Sequence, residues 1–213
     1  MSEAESKFSK AFTACPLVAV LRGLTPSEAP AVGDALVDAG FTILEVPLNS
    51  PAPLESIAVL ATRFAGRALV GAGTVLTVDD VRRVREAGGK LVVSPNVNAE
   101  VIKASVAAGL VSLPGYLTPT EAFAALDAGA HALKLFPVDG TPPSLLKAQR
   151  AVLPETTKVL AVGGITPENI PEWWRAGANG FGIGSNLYRS GKGTADVRND
   201  ARRFVAAVRG EVR

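Results

Sequence analysis

The amino-acid sequence predicts a (β/α)8 TIM barrel preceded by a short N-terminal helix. An Ala-Gly pair recurs along the chain, each time after a helix-like segment and before an apolar, strand-like one. The usual spacing of about 20 to 25 residues suits one strand and one crossover helix. The strand-like segments, such as LVAVL and KLVVS, are continuous apolar runs. Such runs are typical of parallel strands that are covered on both faces.

The Ala-Gly pairs mark the predicted helix ends, because glycine often takes the left-handed conformation just past a helix. The gaps between them are 26, 22, 21, 20 and 48 residues. The last gap equals two repeats, and a further helix end is predicted within it, near Leu153-Pro154. The glycines of the pairs are Gly40, Gly66, Gly88, Gly109, Gly129 and Gly177.

Eight strands are predicted between these marks, and helices fill the intervals. The first residues of three helices are predicted at Thr-Pro pairs, where threonine caps the helix and proline takes its first position. A doubly wound open sheet is the alternative, but it requires a glycine-rich fingerprint after the first strand, and LRGLTP is not one. The predicted strands are 17–22, 43–48, 68–73, 91–95, 111–115, 132–137, 158–163 and 180–185; the last helix is 195–209, and the threonines are Thr25, Thr118 and Thr166.

Residues 1–14 are predicted to form a helical extension packed against the barrel. Phe8, Phe12 and Cys15 recur there at helical spacing. The whole chain, 1–213, is predicted to be a single domain, since 213 residues is a length at the short end of the range for such barrels. With 47% hydrophobic residues, the chain can build a core without disulfides or metals.

Composition argues against several classes of protein. A net charge of +2 is too small to suggest a nucleic-acid partner, and no apolar run approaches the ~18 residues that a membrane span needs. The acidic N-terminus has no apolar core, so it does not resemble a signal peptide. A single cysteine, Cys15, fits a reducing cytoplasm. The only histidine, His131, lies at the start of a strand, away from the expected site, so we expect no metal or cofactor.

Two charged residues lie inside predicted strands, Lys134 in the sixth and Glu45 in the second. Side chains alternate along a strand, so Lys134 shares a face with Ala132 and Phe136 while the flanking leucines share the other. If the leucines face the helices, Lys134 points into the barrel. The same parity places Glu45 inside the barrel, and the sequence thus predicts one base and one acid in one concave site.

Lys134 has two possible roles in such a site. It can be a cation held by Glu45, which would be structural, or an amine nucleophile whose pKa is lowered by desolvation. Since a buried ion pair contributes little to stability, we favour the nucleophile.

Other candidate site residues follow the strands at their C-terminal ends, where barrel active sites lie. The glycines after the last two strands suit a phosphate site made by backbone N–H groups, although they can also serve only to turn the chain. Arg22 follows the adjacent first strand and can complete that site. The candidates are Arg22, Thr74, Gly163, Gly164, Gly184 and Ser185.

The motifs ALKLFP, LEVPLNSP, GAGTVL, VGGITPEN and GIGSNLY resemble those of the 2-keto-3-deoxy-6-phosphogluconate and -galactonate aldolases. The resemblance runs from about residue 15 to 209 with the motifs in register. It implies a class I aldolase on a (β/α)8 barrel, without a cofactor and commonly a homotrimer. It further implies that Lys134 forms a Schiff base and that Glu45 is the general acid/base. Substrate contacts are implied for Arg22, Thr74, Gly164, Gly184 and Ser185.

Two features favour the galactonate branch of that family. VPLNSP follows the galactonate pattern, whereas the gluconate enzymes carry an arginine at the position of Asn49. Val162 stands where the gluconate enzymes usually carry threonine, whose hydroxyl can bond a substrate hydroxyl of one configuration. The segment GYLTPTE, with Tyr116 and Leu117, departs from both patterns.

The expected reaction is retro-aldol cleavage of 2-dehydro-3-deoxy-6-phosphogalactonate to pyruvate and D-glyceraldehyde 3-phosphate. The gluconate epimer, or both epimers, is the alternative substrate. The rival functions are a phosphate-binding barrel isomerase or epimerase, in which Lys134 acts only electrostatically, and a phosphosugar-binding module without chemistry.

Overall fold

The computed structural model describes residues 2–211. Within this range the chain forms nine α-helices and nine parallel β-strands. The helices are α1 Glu3–Ala14, α2 Ala29–Ala39, α3 Pro53–Arg63, α4 Val78–Glu86, α5 Ala99–Ala107, α6 Pro119–Asp127, α7 Ser144–Arg150, α8 Ile170–Arg175 and α9 Thr194–Glu211. The strands are β1 Leu17–Val20, β2 Ile43–Pro47, β3 Leu69–Gly73, β4 Leu91–Val93, β5 Val111–Leu113, β6 Gly115–Tyr116, β7 Leu133–Leu135, β8 Val159–Val162 and β9 Gly180–Ile183.

The strands form one sheet in the order β5-β4-β3-β2-β1-β9-β8-β7-β6. The two outermost strands, β5 and β6, are consecutive in the chain, so the sheet curls round into a nearly closed barrel. This order, with a helix after nearly every strand, confirms the predicted (β/α)8 barrel and contradicts the doubly wound alternative.

The predicted fifth strand, 111–115, is two short strands separated by Pro114. β5 pairs with β4, and β6 pairs with β7. Proline has no N–H to donate to a ladder, so the strand changes partner at this residue. The Pro114 carbonyl still accepts a hydrogen bond from the backbone N–H of Lys134, at 2.9 Å.

The predicted helix ends agree with the structure better than the predicted helix starts. All six predicted glycines have positive φ, between 72° and 111°. Thr118 caps α6 in a full capping box. Thr25 and Thr166 also make capping hydrogen bonds, with Glu28 and Asn169 respectively. The residues directly after each threonine form a turn, however, and α2 and α8 begin four residues after it.

Two apolar clusters lie on opposite faces of the strands. The outer cluster, between strands and helices, contains alternate residues such as Leu44 and Leu133. The other, the lumen cluster, fills the barrel and consists of Phe8, Phe12, Val18, Ile43, Leu69, Leu91, Val93, Val111, Leu113, Ala132, Leu160 and Val162. Both faces of the sheet are thus buried, which explains the continuous apolar runs.

Helix α1 supplies two side chains to the lumen cluster, Phe8 and Phe12. A methyl group on Gly180, the first residue of β9, would lie 2.7 Å from the ring of Phe12. Thr42, just before β2, donates a hydrogen bond to the carbonyl of Ala11, at 2.7 Å. Helix α1 therefore covers the N-terminal end of the barrel, as predicted, and the C-terminal end remains for a site. In the part of the chain that the structure describes, no helix has the length and apolar character needed to cross a membrane.

Candidate active site

Lys134 lies at the centre of β7, and its side chain points into the barrel. Ala132 belongs to the lumen cluster, whereas Leu133 and Leu135 belong to the outer cluster. The predicted parity is therefore confirmed. Only 9% of Lys134 is exposed, and its Nζ lies 4.6 Å from the centroid of the Phe136 ring.

Glu45 lies at the centre of β2 and is 1% exposed. Its neighbour Ile43 belongs to the lumen cluster, and Leu44 and Val46 to the outer one, so Glu45 also points inward. Glu45 Oε2 is buried without a hydrogen-bond partner in the described part of the protein. A buried carboxylate oxygen of this kind has an unused capacity to accept a hydrogen bond.

Lys134 and Glu45 line the same small cavity, of about 10 Å³, at the centre of the barrel. Among residues 2–211, however, no ion pair within 4.0 Å joins them. The structural role considered for Lys134, a cation held directly by Glu45, is therefore not what the structure shows. The two groups face a shared space and leave room between them for a reacting atom.

Burial shifts the pKa of each group in the direction that favours its uncharged form. It raises the pKa of Glu45 from 4.5 to about 7, although the charges of Lys134 and Arg22 act against this shift. It lowers the pKa of Lys134, against the attraction of Glu45 and with a contribution from the charge of Arg22. The face of the Phe136 ring favours the ammonium form and so moderates this effect. Glu45, with a pKa of about 7, thus suits proton exchange near pH 7.

Arg22 follows β1 and is exposed at the barrel mouth. Its Nη1 donates a hydrogen bond to Asn49 Oδ1, at 3.0 Å. The strand register pairs Val20 with Glu45 on one side and Ala19 with Ile183 on the other. Arg22 consequently lies between the Glu45 strand and the loop that follows β9.

Thr74 follows β3 directly and has a φ of 56°. Positive φ is a strained conformation for a β-branched residue, and such strain concentrates at functional sites. Thr74 lies next to Gly73, which is paired with Pro47 at the end of the Glu45 strand. This position at the barrel mouth agrees with the predicted one.

The glycines after β8 bring two loops together. Gly163 and Gly164 have φ values of 118° and 62°. Methyl groups on them would lie 3.1 Å from the backbone nitrogen of Val138 and 2.9 Å from Asp139 Oδ1, respectively. The loops after β7 and β8 therefore approach each other as closely as glycine allows.

The loop after β9 begins with a helical turn. The N–H groups of Leu187 and Tyr188 both donate to the carbonyl of Gly184, at 2.8 and 3.0 Å. The N–H groups at the start of such a turn have no acceptor within it, and Ser185 is exposed there. Gly184 and Ser185 thus lie at the mouth beside Arg22, as the sequence predicted.

Val162 ends β8 and belongs to the lumen cluster, and its side chain lines the cavity that Glu45 and Lys134 share. A methyl group on Gly182 of β9 would lie 2.8 Å from Val162 Cγ2. Glycine at 182 therefore makes the space that the valine side chain occupies.

Sequence reasoning missed two residues that shape the site, Gly73 and Phe136. A methyl group on Gly73 would lie 1.9 Å from Glu45 Oε2, so a larger residue there would have to displace the Glu45 carboxyl. No sequence pattern reveals this contact between two strands. Parity places Phe136 on the same face as Lys134, but only the structure shows its ring at 4.6 Å from Lys134 Nζ.

The unusual GYLTPTE segment lies outside the lumen. The Tyr116 hydroxyl donates to Gln149 Oε1, at 3.0 Å, and Gln149 Nε2 donates to the carbonyl of Leu117, at 2.8 Å. Tyr116 belongs to the outer cluster. The segment therefore connects the β6–α6 loop to α7 rather than contacting Lys134 or Glu45.

His131 lies just before β7, and its Nδ1 accepts a hydrogen bond from the backbone N–H of Ser112, at 3.1 Å. Within residues 2–211, no group of three or more His, Cys, Asp and Glu side chains is arranged to hold a metal ion.

A larger cleft, of about 540 Å³, lies between the loops after β8 and β9 and helix α9. It includes Ser185 but neither Lys134 nor Glu45. Several of its charges pair with each other, as in the Arg203–Glu168 ion pair at 2.9 Å. The chemistry of the small central cavity, rather than the size of this cleft, makes the cavity the candidate active site.

Comparison with known proteins agrees with this geometry. The family model described as KDPG and KHG aldolase matches residues 8–200. The chain belongs to this aldolase family. The resemblance read from the motifs is therefore confirmed, and the chain is assigned to the class I aldolases.

Among related proteins, the 2-dehydro-3-deoxy-6-phosphogalactonate aldolase of Escherichia coli (strain K12) is 47% identical over 92% of this chain and 96% of its own length. A probable 2-dehydro-3-deoxy-6-phosphogalactonate aldolase of Rhizobium meliloti (strain 1021) is 47% identical over 90% of this chain and 91% of its own length.

Two solved structures share the fold closely. A structure described as native KDPGal has a TM-score of 0.91 and 47% identity, and the match covers 92% of this chain and 96% of that one. A cube-shaped protein cage designed by fusing symmetric oligomeric domains has the same TM-score and identity, covering 92% of this chain and 73% of that one.

Proposed function

We propose that this aldolase cleaves 2-dehydro-3-deoxy-6-phosphogalactonate to pyruvate and D-glyceraldehyde 3-phosphate through a Schiff base on Lys134. One observation carries the proposal. A buried lysine of lowered pKa and a buried glutamate of pKa about 7 face the same lumen without forming an ion pair. Such a pair combines an amine nucleophile with a proton carrier.

In the first step the neutral amine of Lys134 attacks the C2 keto carbon of the substrate. The new C–N bond gives a carbinolamine after a proton moves from nitrogen to oxygen. Glu45 then protonates the C2 hydroxyl, which leaves as water, and the iminium forms. A pKa near 7 lets Glu45 both donate and accept protons in this sequence.

In the second step the C3–C4 bond breaks. Its electron pair moves toward the iminium nitrogen and gives an enamine, while Glu45 takes the proton of the C4 hydroxyl through a water molecule. Glyceraldehyde 3-phosphate leaves as the aldehyde. Protonation of the enamine at C3 regenerates an iminium, and its hydrolysis releases pyruvate and the amine of Lys134.

The remaining candidates bind the two anionic ends of the substrate. Thr74 and neighbouring backbone amides hold the carboxylate near the catalytic pair. Gly163, Gly164, Gly184 and Ser185 hold the phosphate at the mouth, where backbone N–H groups from two loops converge. Arg22, beside the β9 loop, adds positive charge to that end.

Val162 supports the galactonate epimer as substrate. Its side chain lines the cavity of the catalytic pair and offers no hydrogen bond to a substrate hydroxyl. Two relatives at 47% identity bear the name of the galactonate enzyme. An apolar site rejects the wrong hydroxyl only weakly, so we expect some activity on the gluconate epimer.

Borohydride trapping tests the proposal. The protein is incubated with pyruvate at neutral pH and reduced with borohydride. Mass spectrometry of the intact protein then detects the adduct, and peptide mapping locates it. We expect one adduct on Lys134 in the native protein and none in Lys134→Arg, with Lys192→Arg as a matched control that still reacts. No adduct on the native protein would refute the Schiff base. Activity in EDTA tests the prediction that no metal is needed.

The rival functions make different predictions in that experiment. A phosphate-binding isomerase would give no adduct but would interconvert phosphosugars. A binding module would bind the phosphosugar without turnover or adduct. Either result in place of the Lys134 adduct would replace the aldolase proposal.

We also propose that the protein is a homotrimer. Large apolar side chains are exposed on its surface, including Phe123 and Leu117 at 40% and Val152 at 57%. Exposed apolar surface often marks contacts between subunits. Light scattering after size exclusion should give three times the chain mass of 22.0 kDa. Phe123→Glu should lower that mass, and a native mass of one chain would refute the trimer.

A cytoplasmic location and a single-domain organisation of residues 1–213 remain predictions. The single cysteine, Cys15, supports the first, since one cysteine cannot form the internal disulfides that are common in oxidising compartments. Fractionation of the source cells tests the location. A single cooperative unfolding transition would support the single domain.

A further inference from the structure

Two hydrogen bonds join the loop after β1 to the loop after β2. Arg22 Nη1 donates to Asn49 Oδ1, at 3.0 Å. The backbone N–H of Gly23 donates to Ser50 Oγ, at 2.9 Å. Two consecutive residues of one loop thus bond to two consecutive residues of the other, so the Arg22–Asn49 hydrogen bond is one of two that hold these loops together.

The loop that carries Asn49 is held in place at both ends. The backbone N–H of Leu48 donates to the carbonyl of Gly73, at 2.8 Å, and that of Ser50 donates to Pro47, at 2.9 Å. Ser50 itself is only 7% exposed. The amide of Asn49 is therefore presented from a fixed turn, and it can hold a guanidinium group in one orientation.

The partner of Arg22 is neutral, unlike the carboxylate partners of Arg63 and Arg82. Arg63 pairs with Asp34 at 2.6 Å, and Arg82 pairs with Glu86 at 2.8 Å. Within the described residues, Arg22 forms no ion pair with a carboxylate. An amide oxygen orients the guanidinium without cancelling its charge, so the charge of Arg22 remains available to an anionic group of the substrate.

The position of Arg22 makes this orientation relevant to the site. Ala19 of β1 pairs with Ile183 of β9, so Arg22 emerges beside the loop that begins at Gly184. Its charge also affects the pKa of Glu45 and of Lys134. Arg22 therefore lies between the catalytic pair and the loop to which we assign the phosphate.

We infer that Asn49 is a positioning residue: it holds the Arg22 guanidinium toward the phosphate of the bound substrate. This inference rests on the proposed function. It adds to that function a residue that touches neither the Schiff base nor the proton carrier and that acts only through Arg22.

The test is a double-mutant cycle with Asn49→Ala, Arg22→Ala and both together, assayed on the phosphorylated substrate. Asn199→Ala, an exposed asparagine on α9, is the matched control and should behave as the native enzyme. A lost hydrogen bond to a charged group corresponds to roughly a 10-fold effect, so Asn49→Ala should raise KM about 10-fold and change kcat less than about 3-fold. In the Arg22→Ala background, the same change should have almost no further effect.

Two results would overturn the inference. One is an unchanged KM in Asn49→Ala. The other is a loss in the double variant equal to the product of the two single losses, which would mean that Asn49 acts independently of Arg22. A purely structural role would lower kcat and thermal stability together instead of raising KM alone.

Trapping with pyruvate separates this inference from the proposed function. Pyruvate has no phosphate, so the Lys134 adduct should form in Asn49→Ala to the same extent as in the native enzyme. Loss of the adduct from the native enzyme would refute the proposed function. A normal adduct together with a normal KM in Asn49→Ala would refute only the role of Asn49.

Discussion

Gly73 and Glu45 lie so close on neighbouring strands that a methyl group on residue 73 would lie 1.9 Å from Glu45 Oε2 and 2.4 Å from Glu45 Cδ. Both contacts are far inside van der Waals distance. The carboxyl group of Glu45 therefore occupies the volume that any other residue at position 73 would fill. Glycine in the GAGT motif sets the position of the proposed proton carrier.

Gly73→Ala should consequently impair catalysis more than stability. The added methyl group must displace the Glu45 carboxyl, and misplacing a general acid/base costs on the order of 100-fold in kcat. We expect kcat to fall by about that factor while a cooperative unfolding transition is retained. Gly210→Ala serves as the matched control, because nothing lies within 4 Å of the methyl group there. A Gly73→Ala enzyme with native kcat would contradict this role.

Lys134→Met should make the protein more stable and abolish activity. Lys134 is 9% exposed and forms no ion pair in the described structure, so only the more distant charge of Glu45 and the face of the Phe136 ring offset its desolvation. Replacing it by an apolar side chain of similar length should add about 1 to 4 kcal/mol to the free energy of unfolding at pH 7. Urea denaturation measures this change.

Lys192→Met provides the opposite case. Lys192 Nζ forms a 2.5 Å ion pair with Asp200 and donates to the carbonyl of Leu187, at 2.8 Å. Its loss should lower the free energy of unfolding. If both variants are destabilised alike, the burial of Lys134 does not cost the folded protein stability.

The stability of the protein should depend on pH through Glu45. Burial raises its pKa from 4.5 to about 7, so the folded state binds more protons than the unfolded state in this range. This stabilising contribution is complete below pH 4.5 and is lost as the pH rises through about 7. Glu45→Gln removes the charge, so its stability relative to the native protein should grow by roughly 2 to 3 kcal/mol between pH 5 and pH 8. Urea denaturation at both pH values measures the difference in unfolding free energy between the variant and the native protein. If that difference is the same at pH 5 and pH 8, folding does not raise the pKa of Glu45.

Val162→Thr should change the choice between epimers. The valine methyl groups line the cavity that Lys134 and Glu45 share. A threonine hydroxyl there would add a hydrogen-bond donor and acceptor to this cavity. We expect the ratio of kcat/KM for the gluconate epimer to that for the galactonate epimer to rise about 10-fold or more. Both epimers are assayed with both enzymes. The assignment to the galactonate substrate is wrong if the native enzyme prefers the gluconate epimer.

The sequence alone determined the barrel and the inward direction of its two charged residues. The repeated helix, glycine and strand follow from local preferences, and side-chain parity in a strand is a local property too. Lys134 and Glu45 were therefore predictable from their neighbours. The first residues of α2 and α8 were not, because the capping threonines Thr25 and Thr166 are followed by a turn before each helix begins.

Only the tertiary structure decided how residues on different strands meet. It separates Lys134 from Glu45 instead of pairing them, it places the Glu45 carboxyl where a side chain at position 73 would lie, and it joins Arg22 to Asn49 at 3.0 Å. It also divides the fifth predicted strand at Pro114, where one half pairs with β4 and the other with β7. These features depend on distances across the barrel, which strand register and packing set and which the order of residues along one strand does not contain.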